Sequence, residues 1–349
     1  MSIAPPPPRI SVVIPTYQRR EQVVRAVESV FAQRCPASEV LVVDDGSTDG
    51  TAELLRRRYG ERVRVLVQPN RGASAARNRG IAAATGDAVA FLDSDNRWFD
   101  RHLAVVTELL ERFPEAVLVG TQRAFTFGDE QPADARLTDL AEHLLLRGPA
   151  VGLTTSVAVR RRALLDAGAF DEELRYGEDT ELFVRLSVLG PMALVSGRTF
   201  ERGHEPNSLL AEGRRTGGYV GLLERCGDGA LAVLDRTPRP DADRVREAAL
   251  TARALGRAVV ALDGAQPTSV LAAELQDAVR HHPALAAEPR LFLVRAAPAL
   301  PRWHDPAWRL GALNRLIGVW PSRRGRALLR LRAVKAALKA KGRSLTGVG

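Results

Sequence analysis

An alternation repeated through the first third of the chain limits what it can fold into: a short, mostly apolar segment, then a stretch whose apolar residues recur every three or four positions. Residues 10–14 are the first such segment, closed by Pro15. From Glu21 onward Val23, Val24, Val27, Val30 and Phe31 follow the spacing of a helix with one buried face. The same reading predicts strands at 40–43, 63–67, 88–92 and near 116–119. It predicts helices over 51–58, 74–85 and 99–112, with further helical periodicity at 163–166 and 180–189. Apolar strands separated by amphipathic helices bury themselves in a mostly parallel sheet covered on both faces, so the expected class is α/β. Ligand crevices in such sheets lie beyond the carboxyl ends of the strands. The polar residues that follow each strand are therefore the candidates for chemistry.

Two strand ends carry paired carboxylates. After 40–43 come Asp44, Asp45 and Gly46, where Ser47, Thr48 or Asp49 can cap the next helix and Asp45 is left to accept hydrogen bonds from a ligand. After 88–92 come Asp93, Ser94 and Asp95. Carboxylates this close repel unless a cation lies beside them, and a hard Mg2+ or Mn2+ carrying a diphosphate would serve, although a solvated turn would also carry this tripeptide. Residues 72–80 (G-A-S-A-A-R-N-R-G) start a helix of small residues that places Arg77 one turn in, either near an anion or on a packed helix surface. Glu178 and Asp179 open another helix, as dipole partners or as a general base. His204 lies in R-G-H-E-P-N-S and reads as a loop residue or a ligand.

Composition excludes several other classes. The net charge of +9 comes from the far end: eleven basic and no acidic residues lie in 306–349, leaving 1–305 at −2, so a basic nucleic-acid groove is not expected. Cys35 and Cys226 have no paired spacing, which argues against a disulfide framework or a zinc cluster. M-S-I-A-P-P-P-P is unlike a signal peptide and no apolar run is long enough to span a membrane, so the expected location is cytoplasmic. Beyond residue 207, Ala, Leu and Arg dominate and predict a helical region. Its basic tail sets Ala327, Leu331, Val334 and Leu338 on one helical face, suited either to packing or to peripheral contact with the inner face of an anionic membrane. The domain expectation is a Pro-rich arm over 1–9, a catalytic domain over 10–207, and a helical region over 208–349 with the basic tail at 306–349.

In order, the motifs S-V-V-I-P-T-Y (11–17), V-V-D-D-G-S-T-D-G-T (42–51), A-A-R-N-R-G-I (75–81), F-L-D-S-D (91–95), G-A-F-D-E-E-L (168–174) and G-E-D-T-E-L-F-V-R-L (177–186) resemble those of the family 2 glycosyltransferases. The resemblance implies the nucleotide-binding fold called GT-A and inverting transfer from a nucleoside-diphosphate sugar, most often a UDP-sugar, to an acceptor hydroxyl. It implies donor contacts at Pro15, Thr16, Tyr17, Arg19, Asp45, Arg77, Asp93, Ser94 and Asp95, with Asp45 on the base edge and Arg77 near the base or phosphates. It implies a Mn2+ or Mg2+ ion held by Asp95 with Asp93 and His204, and Asp179, beside Glu178, as the general base. The acceptor would be a glycan, a lipid-linked precursor or a small molecule, and nucleic acid is not an expected partner. Many relatives carry a further acid directly after the Asp-x-Asp motif, where this chain has Asn96. A nucleotidyltransferase would place a glycine-rich basic loop after the first strand, where this chain has Pro15-Thr16-Tyr17-Gln18. A non-catalytic binding protein of the same fold would be expected to have lost one of Asp93, Asp95 or Asp179, and all three are present.

Overall fold

A computed structural model describes residues 6–122, 135–147, 151, 153–203, 221–263 and 268–283. The chain divides into two compact units, Met1–Leu140 with Ala150–Tyr219, and Ala141–Pro149 with Val220–Gly349. His204 and the basic tail lie outside the described residues.

The first unit is built on an eight-stranded sheet. Its strands are β1 (Ile10–Thr16), β2 (Glu39–Asp44), β3 (Arg64–Val67), β4 (Ala88–Phe91), β6 (Leu118–Gln122), β7 (Arg136–Thr138), β8 (Val157–Arg160) and β9 (Met192–Ser196), in the order β3-β2-β1-β4-β8-β6-β9-β7. The strands β3, β2, β1 and β4 run parallel, and β8 enters antiparallel between β4 and β6. Position in the sheet follows from composition. β1 is apolar apart from Ser11 and its last residue Thr16, both buried, and Val12, Val13 and Ile14 are fully buried near its centre. β3 alternates less cleanly, exposes Arg64 and Val67, and forms an edge. Each fully buried Val, Ile or Leu contributes about 1.5–3 kcal/mol of burial, so the apolar runs decide which strands lie inside.

Helices α1 (Arg20–Phe31), α2 (Thr51–Tyr59) and α3 (Ala73–Ala83) connect the parallel strands. α1 buries Val23, Val27 and Val30 of the expected stripe together with Ala26 and Ser29, while Val24 and Phe31 are half-buried against the core. α3 has almost no apolar stripe and is held close by its small residues instead. A Cβ added at Gly80 would stand 2.3 Å from Cγ1 of Val13, so only glycine lets α3 lie this near to β1. The unit is completed by α4 (His102–Arg112), α6 (Arg161–Ala167) and α7 (Glu178–Leu189), and by a small antiparallel pair of β5 (Arg97–Trp98) with β10 (Phe200–Glu201).

The second unit is helical where described: α5 (Ala141–Arg147), α8 (Leu222–Leu234), α9 (Ala242–Asp263) and α10 (Thr268–His281). A Cβ at Gly256 would fall 2.2 Å from the Glu224 backbone nitrogen, so α8 and α9 approach through glycine. Arg257 ties α9 to α10 through Glu274 at 2.9 Å and Asp277 at 3.2 Å. Among the described residues no helix is long and apolar enough to cross a membrane.

Candidate active site

The register of the parallel strands brings three polar turns to one edge of the sheet. Thr16 at the end of β1 pairs with Asp44 at the end of β2, the Asp45 N–H donates to the Thr16 carbonyl, and the Leu92 N–H just after β4 donates to the Val13 carbonyl of β1. The expected site residues of the first unit thus converge where the strands end. Tyr17 is the exposed member of the group, with 46% of its surface accessible, whereas Thr16 is buried.

The turn after β2 is organised by neutral donors. Asp44 is fully buried and its Oδ1 accepts the Ser47 backbone N–H at 2.9 Å. Asp45 is 4% exposed. Its Oδ1 accepts the Gln68 amide at 2.8 Å and the Arg71 backbone N–H at 2.9 Å, and its Oδ2 accepts the Gly72 backbone N–H at 2.8 Å. One carboxylate therefore fixes the whole loop that leads into α3. Asp49 accepts the Thr51 backbone N–H at 3.1 Å and so serves the start of α2. Burial would raise the Asp49 pKa, but the Thr51 hydroxyl, the Arg20 N–H at 3.2 Å and the Thr51 N–H all donate to the carboxylate and hold it below the usual range.

The turn after β4 is organised by cations. Asp93 Oδ1 accepts Arg77 Nη2 at 2.8 Å, and its Oδ2 accepts the Thr155 hydroxyl at 3.0 Å. Asp95 Oδ2 lies 3.3 Å from Arg19 Nη1, which joins the loop after β1 to the acidic turn. Ser94, between them, is buried. Asn96, directly after the Asp-x-Asp motif, is buried. Its amide donates to Thr155 at 2.8 Å, and its carbonyl accepts the Gly203 backbone N–H at 3.1 Å. An aspartate here would lack the N–H that meets Thr155.

Arg77 is the junction of the site. Its side chain is 7% exposed; Nη2 reaches Asp93, Nη1 reaches Glu178 at 3.0 Å, and its guanidinium stands 5.3 Å from the Phe170 ring centre. Burial alone would lower the Arg77 pKa, but the Asp93 and Glu178 carboxylates outweigh it and hold it above its ordinary value. The neighbouring Asn78 clamps the Phe170 backbone in both directions, donating to its carbonyl at 2.9 Å and accepting its N–H at 2.8 Å. The A-A-R-N motif thereby joins the acidic turn to the segment before α7.

Asp179 sits in the first turn of α7, whose cap residue Gly177 takes a positive φ of 76° that a side chain would strain. The Thr180 backbone N–H donates to its Oδ1 at 2.7 Å. Burial pushes the Asp179 carboxyl up to about 6 and the charge of Glu178 adds to this, while the Thr180 N–H and Arg77 pull the other way. A carboxylate poised near this value can take a proton near neutral pH.

Sequence reading alone did not single out Gln68, Thr155, Phe170 or Glu172. Gln68 and Thr155 hold Asp45 and Asp93, and Glu172 receives Arg71 at 2.8 Å and Asn78 at 3.0 Å. Phe170 and Glu172 lie inside the motif at 168–174, and their partner Asn78 inside the one at 75–81, whereas Gln68 and Thr155 lie in none.

A parallel α/β half with acidic turns at its strand ends, extended by a mixed second half, is the architecture of the GT-A glycosyltransferases. Residues 11–168 match the sequence profile of Glycosyl transferase family 2. Among curated relatives, the succinoglycan biosynthesis protein ExoW of Rhizobium meliloti strain 1021 is 41% identical over 111 residues, covering 30% of this chain and 35% of ExoW. The chain spans less than two thirds of the length of the curated relatives it matches. Among solved structures, residues 1–349 of TarS from S. aureus in complex with UDP-GlcNAc superpose with a TM-score of 0.57 at 15% identity, over 97% of this chain and 93% of that one. The mannosyltransferase PcManGT from Pyrobaculum calidifontis, in complex with GDP-Man and Mn2+, gives a TM-score of 0.50 at 17% identity, over 90% and 86%. At such identities these two likenesses concern the fold.

Proposed function

We propose that the first unit transfers a sugar, with inversion, from a nucleoside-diphosphate sugar to the hydroxyl of a glycan or glycan precursor. The observation that carries this reading is Asp179: a carboxylate raised to about 6, joined through Glu178 and Arg77 to the acidic turn after β4. The UDP-GlcNAc complex of TarS supports a UDP-sugar as donor, and ExoW supports a polysaccharide-type acceptor.

The loop of Pro15, Thr16, Tyr17 and Arg19 with Asp45 would receive the nucleoside. Exposed Tyr17 offers a ring face, and the acceptor-only carboxylate of Asp45 suits a base edge that carries an N–H. Asp93 and Asp95, with the buried Ser94 between them, offer the hard oxygen ligands that Mn2+ or Mg2+ prefers, and the ion would take its remaining ligands from diphosphate and water. His204 is proposed as a further ligand on the strength of the sequence alone. When bound, such an ion stabilises the charge that develops on the departing diphosphate. Asp179 removes the proton of the acceptor hydroxyl, whose oxygen then attacks the anomeric carbon from the face opposite the leaving group.

The test is a panel of nucleotide sugars screened by thermal shift, followed by UDP or GDP release in Mn2+ with and without glycan acceptors, and NMR of the first-formed anomer. Donor binding without release or transfer would sink the catalytic reading, and a retained anomeric configuration would sink inversion.

A further inference from the structure

We propose that Arg77 is a positioning residue that bridges the acidic turn after β4 to the first turn of α7, and that it does not act as a donor contact. The proposal rests on the transferase reading above. The two terminal nitrogens of Arg77 are each committed, one to Asp93 at 2.8 Å and the other to Glu178 at 3.0 Å. Its Nε is buried with no hydrogen-bond partner, and its guanidinium carbon lies over the Phe170 ring, 5.3 Å from the ring centre. Arg77 keeps further N–H donors on these nitrogens and on Nε, but with its side chain only 7% exposed a phosphate reaches them only if a carboxylate is released.

The surroundings hold the bridge rigid. Gly80 seats α3 on β1 with no room for a side chain, Asn78 grips the Phe170 backbone on both sides, and Phe170 packs edge-on against Phe91, 5.4 Å between ring centres. Phe91 is the last residue of β4, two positions before Asp93. The two ends of the bridge are thus tied to one another through the backbone, the aromatic pair and the ion pairs. Asp179 is the next residue after Glu178, so its place relative to Asp93 and Asp95 is set by Arg77. A guanidinium presents two separated nitrogens in one rigid plane, whereas an ammonium must draw both carboxylates to a single nitrogen without fixed direction.

The test uses the full chain as wild type, Arg77→Lys, Glu178→Gln and the double variant. UDP affinity is read by calorimetry, turnover by UDP release from UDP-GlcNAc and UDP-glucose, and the bridge itself by thermal unfolding. Each single variant should lower kcat by roughly tenfold or more while the UDP Kd stays within about twofold. The double variant should be little worse than the worse single, because both remove one interaction. Non-additive losses of Tm should accompany this, and they read the bridge without turnover. A UDP Kd raised about tenfold in Arg77→Lys would make Arg77 a donor contact and overturn the proposal. Additive losses in kcat and Tm would also overturn it, as would non-additive Tm with kcat unchanged. Wild type that releases no UDP from either sugar but shows non-additive Tm would sink positioning together with the transferase reading, and additive Tm would sink the bridge as well.

Discussion

The turns after β2 and β4 carry nearly the same sequence signature, an apolar strand running into two carboxylates, yet they are stabilised in opposite ways. Asp45 is met by the Gln68 amide and two backbone N–H groups, all neutral and fixed. Asp93 and Asp95 are met by the guanidinium groups of Arg77 and Arg19. Neutral dipoles locked into a loop make a shape. Opposed charges make an electrostatic balance, which a bound cation or a change of charge can tip. The first turn is therefore expected to act as a rigid nucleoside cradle and the second as the place of metal chemistry, bridged by Arg77 to the first turn of α7 that carries the proposed base Asp179.

The largest effect should come from disturbing the charged turn. EDTA should abolish donor turnover and Mn2+ or Mg2+ should restore it, and Asp95→Ala should make the loss permanent. Full turnover in EDTA would remove the metal from the reading and with it this contrast between the turns.

Asp179→Asn comes next. It preserves size and removes basicity, so kcat should fall by roughly a hundredfold or more with donor affinity nearly unchanged. Equal loss of donor binding would reassign Asp179 to the donor side.

The pH dependence follows from the same residue. With its carboxyl raised to about 6, wild-type turnover should climb through that pH and level off above it, and the acid limb should be missing from Asp179→Asn. The sign for stability runs the opposite way from the usual aspartate. A folded-state pKa above the unfolded one disfavours the ionised form, so the stability this group lends is present at low pH and is lost as pH rises through about 6. Asp179→Asn should consequently raise Tm at pH 7.5 and lose that advantage below pH 4, a comparison that calorimetric melting decides.

The smallest effect belongs to the neutral turn. Asp45→Asn replaces one acceptor oxygen by an NH2 facing an N–H donor, which should cost about 1–3 kcal/mol of stability. That loss should be indifferent to Mn2+. A metal-dependent melting shift in this variant would mean that the two turns are not separable.

The sequence by itself determined the α/β class, the strands β1 to β4 with the helices between them, and the short list of acids at the strand ends. Each depends on local periodicity or on what directly follows an apolar run, and strand register then carries these residues to one edge. The strands β7, β8 and β9 were not legible, because brief strands flanked by other apolar residues leave no distinct period, and their antiparallel or parallel partners lie far along the chain. Nor could residue order tell the two acidic turns apart. Gln68 reaches Asp45 across 23 positions, Thr155 reaches Asp93 across 62, and Arg77 reaches Glu178 across 101. Those contacts exist only after the sheet has formed, since burial and the placement of distant charges, rather than neighbours in sequence, decide which donor a carboxylate meets and how far its pKa moves.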